Sequence, residues 1–205
     1  MMMQIKRLFT PVLFCFAVAC LIEIPLEMTD LFGEDVILWD TLFRTIGAVP
    51  VLLWFYREDV PLRGKIRFDV RLGLMLFVAG AMLSAGARFL FLMLGIPGYV
   101  EETRSLFTGN LPLQFVVLLV ASPLLEEMFF RGVLFVRLKE VVSGQSAVII
   151  SAVCFGLYHG NLSQGIYGFF MGIVLAWAME YCQTVAGPMA LHVGANVAAV
   201  LLELL

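Results

Sequence analysis

Long apolar runs separated by short polar connections dominate the chain. Seven runs stand out, at about 8–26, 37–56, 72–95, 111–136, 145–160, 165–182 and 186–204. Most have about the 18 to 25 residues that a helix needs to cross roughly 30 Å of hydrocarbon. None alternates as a half-buried strand would, and a helix satisfies its own backbone hydrogen bonds where no water can. The pattern therefore predicts an all-α, polytopic integral membrane helix bundle of about seven transmembrane helices. With no long linker, low-complexity segment or convincing repeat, residues 1–205 are expected to form a single membrane domain.

Composition strengthens this reading. Hydrophobic residues make up 61% of the chain and charged residues 14%, against about 45–50% and about 25% in soluble domains. The net charge of -3 comes with no basic block. Nucleic acid is therefore not an expected partner, whereas the lipid bilayer is. Lys6 and Arg7 before the first apolar run suggest a secretory signal. The run continues through Leu21 and Ile22, however, and Ala17-Val18-Ala19-Cys20 is a poor lipoprotein box, so this segment is expected to be the first span. Cys15, Cys20, Cys154 and Cys182 form no Cys-x-x-Cys pair and read as buried small hydrophobes.

Charge sets orientation. Alternation from a cytoplasmic N-terminus puts Lys6, Arg7, Arg57, Arg63, Lys65, Arg67, Arg71, Arg137 and Lys139 inside and only Arg104 in an outside loop. The outside connections are acidic, with Glu27, Asp30, Glu34 and Asp35 after the first span and Glu101 and Glu102 after the third. Arg44, Arg88 and Arg131 lie within spans. An ionisable group in lipid costs at least about 2.5–3.5 kcal/mol, so each needs a partner or a task. For Glu23, Arg44 and Arg88, toward the outer ends of their spans, mutual ion pairing is the expected arrangement. Gly168, Gly172 and Ala176 recur every four residues on the sixth span, and Ala190 and Gly194 do so on the seventh. Such stripes allow helix backbones to approach closely.

The last 95 or so residues carry a different set of polar groups. The fourth span contains Pro123-Leu124-Leu125-Glu126-Glu127-Met128-Phe129-Phe130-Arg131, the fifth ends Phe155-Gly156-Leu157-Tyr158-His159, and the seventh holds His192-Val193-Gly194-Ala195-Asn196. His159 and His192 are the only histidines in the protein. Residues four apart on a helix share a face, so Glu127 can pair with Arg131, while Glu126 points about 100° away. A carboxylate in a low-dielectric cleft beside an imidazole is suited to general-base work. His192 and Asn196 can present two donors to one point, as a tetrahedral oxyanion requires. At about 1.5 Å per residue, Glu126 lies about 16 Å from the cytoplasmic end of its span, His192 about 10 Å and His159 about 21 Å. The two histidines thus differ by about 11 Å in expected depth.

Glu126-Glu127-x-x-x-Arg131, Phe155-x-x-x-His159 and His192-x-x-x-Asn196, in this order on separate helices, resemble the three motifs of the CAAX protease and bacteriocin-processing family, also called the Abi family. The resemblance covers roughly residues 110–200, as a catalytic core preceded by other spans over 1–110. Its members include eukaryotic type II CAAX prenyl endopeptidases and prokaryotic relatives linked to bacteriocin maturation, self-immunity or peptide signalling. It implies a multi-pass intramembrane endopeptidase, with a prokaryotic plasma membrane as the expected location and a membrane-associated peptide or protein as substrate. Position by position, it implies that Glu126 and His159 activate the attacking water, that His192 and Asn196 hold the oxyanion, and that Glu127 and Arg131 brace the site. No Gly-x-Ser-Gly, Gly-x-Gly-Asp or His-Glu-x-x-His sequence is present to support another type of intramembrane protease.

Zinc is the open cofactor question. Glu126, His159 and His192 could make a three-ligand catalytic site with water in the fourth position. They lie on three spans, however, and the helical neighbour of His192 is Asn196, a poor zinc ligand. The expectation is glutamate catalysis without metal or other cofactor. Two other classes use the same residues: a proton-coupled transporter or channel, and a catalytically idle immunity or scaffold protein.

Overall fold

The computed structural model describes residues 2–29, 31–95 and 110–204. The connection expected to lie outside, with Glu101, Glu102 and Arg104, falls beyond the described residues, as does Asp30. Seven helices and no strand are found among the described residues. They are α1 (Met2–Thr29), α2 (Val36–Glu58), α3 (Val70–Leu94), α4 (Leu111–Leu138), α5 (Gly144–Tyr158), α6 (Leu162–Cys182) and α7 (Ala186–Leu204).

Six of them are long and apolar enough to cross a bilayer, and α5, with 15 residues, is shorter. At about 1.5 Å per residue α5 reaches only about 22 Å. The chain is a multi-pass integral membrane protein, and its apolar side chains face outward as lipid requires. On α1 only Pro11 and Leu26 are buried, while Phe16 and Leu21 are exposed.

Helix ends follow local chemistry. Asp69 accepts from the Leu72 amide at 2.8 Å, Asn110 from Leu113 at 3.1 Å and Asn161 from Gln164 at 2.9 Å, each side chain satisfying an amide of the first turn. Gly95, at φ 59°, ends α3 in the left-handed conformation that glycine adopts without steric cost. Arg63 lies 3.6 Å from the centroid of the Tyr56 ring and donates to the Tyr56 carbonyl at 2.8 Å. Burial there lowers its pKa from the ordinary guanidinium value.

The chain divides into two compact units. The first holds α1, α2 and α4. Ala48, Val49, Leu52 and Phe55 form the buried stripe of α2, and α4 is buried almost all round from Leu125 to Leu138. At one end Arg7 and Arg137 converge on Asp59, with Arg7 Nη2 at 2.7 Å from Oδ1 and Arg137 Nε at 2.6 Å from Oδ2. Arg7 also reaches Glu140 at 3.1 Å. The N-terminus of α1, the end of α2 and the end of α4 therefore share one side, as the alternation requires. Toward the other end of α1 and α2, Arg44 bridges Glu23 at 2.8 Å and Asp40 at 2.7 Å.

The second unit holds α3, α5, α6 and α7. Arg88 lies here and pairs with Glu203 at 2.8 Å rather than with the Glu23 and Arg44 group. The sequence reading overlooked Glu203 because it falls in the last turn of an apolar run. A Cβ added to Gly80 would overlap the Leu191 carbonyl, and one added to Gly194 would overlap that of Phe77. These contacts and the Arg88 pair show that α3 and α7 run side by side in the same sense. The α5 and α6 backbones also touch, in the opposite sense: a Cβ on Gly156 would lie 2.7 Å from the Gly165 carbonyl, and one on Gly172 2.9 Å from the Ala152 Cα. The Arg67 amide donates to the Cys182 carbonyl at 3.0 Å, so the end of α6 lies beside the start of α3. Short as it is, α5 runs in the same direction as α3. All four cysteines are free and only Cys182 is buried; the other three are partly exposed along their helices, which corrects the expectation that all are interior.

Candidate active site

Helix α4 is not uniformly α-helical. Val117–Ala121 and Glu127–Phe135 are π-helical, and Ser122–Glu126 between them is α-helical. Pro123 accounts for the first wide turn. It lacks the amide that would serve the Leu119 carbonyl in an α-helix, and its ring crowds that carbonyl, so the ladder shifts to five-residue spacing. The Ser122 amide accordingly bonds to the Val117 carbonyl. Thr45 of α2 donates to the Ala121 carbonyl at 3.2 Å and so braces this turn from outside the helix.

The two glutamates occupy the junction with the second π-helical stretch. Glu126 is the last α-helical residue and Glu127 the first π-helical one. Glu127 accepts from Arg131 Nη1 at 3.1 Å, and both side chains are fully buried. Glu126, 7% exposed, accepts from the Ser122 hydroxyl at 2.5 Å. Each carboxylate thus meets a residue four positions away, but in opposite directions along α4. Sequence reasoning singled out Arg131 and missed Ser122, although the spacing is the same. A serine hydroxyl carries no charge to mark it as a carboxylate partner.

The histidines belong to the second unit. His159 stands at the end of α5, with Nδ1 2.8 Å from the Phe155 carbonyl. A carbonyl can only accept, so Nδ1 carries the proton and Nε2 is the nitrogen left to accept a proton or to ligate. A Cβ on Gly168 would lie 3.2 Å from Nδ1 and 3.3 Å from Cε1. Gly168, expected only to allow close helix packing, therefore also makes room for the imidazole. Asn161, beyond the Gly160 turn at φ 73°, donates to the His159 carbonyl at 3.4 Å.

His192 is buried on α7, and Asn196 follows four residues later on the same face. The Phe155 ring joins the two histidines: its centroid is 4.9 Å from that of His159 and 6.0 Å from that of His192, with near-perpendicular planes in both pairs. Both histidines thus contact one phenyl ring, although helix rise gives them expected depths about 11 Å apart. The α5 backbone packs directly against α6. The sequence identified Phe155 as a motif residue without a role. Its carbonyl orients one imidazole and its ring contacts both.

The first unit thus supplies the buried carboxylates, Glu126 with Ser122 and Glu127 with Arg131. The second supplies His159 and His192 around Phe155, together with Asn196. Within neither unit do three His, Cys, Asp or Glu side chains gather as a metal site would need, among the described residues.

A polytopic helical membrane protein with a buried carboxylate pair and two imidazoles against one phenyl ring is the class that these features define. Residues 108–198 match the family described as type II CAAX prenyl endopeptidase Rce1-like. A Bacillus subtilis (strain 168) protein named "Putative membrane peptidase YdiL" is 27% identical over 177 residues, covering 82% of this chain and 72% of its own. Residues 108–198, somewhat under half of the chain, are thus similar to that peptidase family. At that share of the chain, the similarity to the Bacillus protein extends beyond residues 108–198. No solved structure matches the chain.

Proposed function

We propose that the protein is an intramembrane endopeptidase that hydrolyses a peptide bond in a membrane-associated peptide or protein, without a metal. The observation that carries the reading is the orientation of His159. With Nδ1 committed to the Phe155 carbonyl, Nε2 is the nitrogen directed to chemistry, and the second imidazole shares the same phenyl contact. The peptidase family matched by residues 108–198, which contain every residue concerned, supports it further.

In this mechanism Glu126 removes a proton from a water held against His159 Nε2. The water oxygen bonds to the scissile carbonyl carbon, and the carbonyl π electrons move onto oxygen. His192 and Asn196 donate to that oxyanion. As the oxyanion re-forms the carbonyl and the carbon–nitrogen bond breaks, Glu126 returns the proton to the amide nitrogen; the carboxylic acid and amine so released then exchange a proton to become carboxylate and ammonium. Glu127 and Arg131 hold the helix around the base. Insertion is proposed with the N-terminus on the cytoplasmic face of a prokaryotic plasma membrane.

Incubating the purified protein in liposomes with a membrane-anchored peptide library, with mass spectrometry of the products, tests the reading. Discrete cleavage that disappears in Glu126→Gln is expected. Proton-coupled flux in the same liposomes, with no cleaved peptide, would replace the peptidase with a transporter.

A further inference from the structure

The Ser122 hydroxyl departs from what four helical threonines of this protein do. Thr10, Thr29, Thr41 and Thr45 each donate to the backbone carbonyl four residues back, at 2.8, 2.9, 3.0 and 2.7 Å. That is the local bond a hydroxyl inside a helix ordinarily makes. Ser122 instead donates forward, to Glu126 Oε1 at 2.5 Å. Its position is also constrained from three sides. The Ser122 amide closes the wide turn onto Val117, Pro123 enforces that turn, and the Thr45 hydroxyl of α2, shared with the Thr41 carbonyl, reaches the preceding carbonyl, Ala121.

We propose that Ser122 is a positioning residue for the reaction, fixing the Glu126 carboxylate by a hydrogen bond to Oε1. The proposal rests on the reading of Glu126 as the base. A carboxylate at the end of a flexible side chain otherwise samples several rotamers. Anchoring Oε1 restricts them and fixes the carboxylate that takes the proton. A base displaced by about 1 Å costs up to about a hundredfold in rate, so the hydroxyl acts on turnover rather than on substrate binding. Thr45 has a secondary place in the same arrangement, because it fixes the backbone from which Ser122 reaches.

The test compares the purified full chain with Ser122→Ala, Ser122→Cys, Ser122→Thr and Glu126→Gln in liposomes. The probe is the membrane-anchored fluorogenic peptide that the unaltered chain cleaves best from a library. Expected are a kcat about ten- to a hundredfold lower for Ser122→Ala, an unchanged KM, and an unfolding midpoint close to that of the parent chain. Ser122→Cys, close in shape but a weak donor, should be impaired in the same way and guards against a folding defect in Ser122→Ala. Ser122→Thr, which keeps the hydroxyl, should recover most of the rate. Full activity in Ser122→Ala with none in Glu126→Gln would overturn the positioning role and leave the base intact. Equal impairment of the threonine and alanine variants would overturn the hydroxyl as the operative group. Normal cleavage by Glu126→Gln would overturn the base and the positioning role together.

Discussion

Arg131 donates to Glu127 across 3.1 Å inside α4, and neither side chain has any exposure. Its neighbour Glu126 accepts a hydrogen bond from the Ser122 hydroxyl. Adjacent carboxylates with such different partners should fail differently when neutralised. Removing one member of a fully buried ion pair typically costs about 3–5 kcal/mol because the other charge is stranded. Glu127→Gln should therefore lower the thermal midpoint in detergent markedly, whatever it does to cleavage. Glu126→Gln should abolish cleavage with the midpoint nearly unchanged. Calorimetry and peptide cleavage on the two variants separate these effects; two purely catalytic losses of equal size would overturn the assignment.

How far the sequence foretold this arrangement depends on the kind of interaction. Glu127 with Arg131 was legible because a four-residue spacing and opposite charges suffice to identify it. Glu23 with Arg44 was legible because both sit where charges are costly. Ser122 escaped notice since a hydroxyl in an apolar run normally signals only a local backbone bond. The π-helical stretches of α4 also lay beyond a reading that assumed 100° per residue. Pro123 was visible and can explain the first, but nothing in Glu127–Phe135 announces the second. Helix rise gave His159 and His192 different expected depths and said nothing of the contact by which Gly156 and Gly172 bring α5 directly onto α6.

Small residues at the α3 and α7 contact have a measurable role. A Cβ on Gly80 would overlap a backbone oxygen of Leu191, which cannot rotate aside, whereas one on Gly86 of the same helix would meet nothing within 4 Å. Gly86→Ala should be neutral or stabilising by up to about 1 kcal/mol through helix propensity. Gly80→Ala should instead destabilise the second unit by several degrees and reduce cleavage, because α7 carries His192 and Asn196. Unfolding midpoints of the two variants in one detergent decide it, and similar values would show that α3 and α7 do not meet here.

Orientation can be settled by labelling. Arg7 and Arg137, two of the nine basic residues expected inside, bind the same buried Asp59, so the three helix ends they represent lie together. The positive-inside rule then predicts a cytoplasmic location for them. With single cysteines at 65 and 101 in a background lacking the native four, an impermeant maleimide applied to intact cells should label position 101 only. Labelling of position 65 from outside, or of both positions, would overturn the orientation.

The oxyanion donors and the metal question meet at Asn196. In the proposed mechanism its carboxamide serves only the charge that develops on the scissile oxygen, so the interaction strengthens in the transition state and contributes little in the ground state. Removing one such donor in other enzymes costs about 2.7–4 kcal/mol. Asn196→Ala should thus lower kcat by about a hundredfold or more with KM little changed. A zinc enzyme would place its demands elsewhere, on Glu126, His159 and His192 as ligands, with Asn196 outside the metal's coordination. His159 has the tautomer that would suit either role, since its Nδ1 bond to Phe155 leaves Nε2 available. Chelation distinguishes them. Cleavage by the purified chain should persist after dialysis against a strong chelator, and elemental analysis should find no stoichiometric zinc. Activity lost to the chelator and restored by zinc alone, with one zinc per chain, would make Glu126, His159 and His192 ligands and leave the water activated by metal rather than by carboxylate.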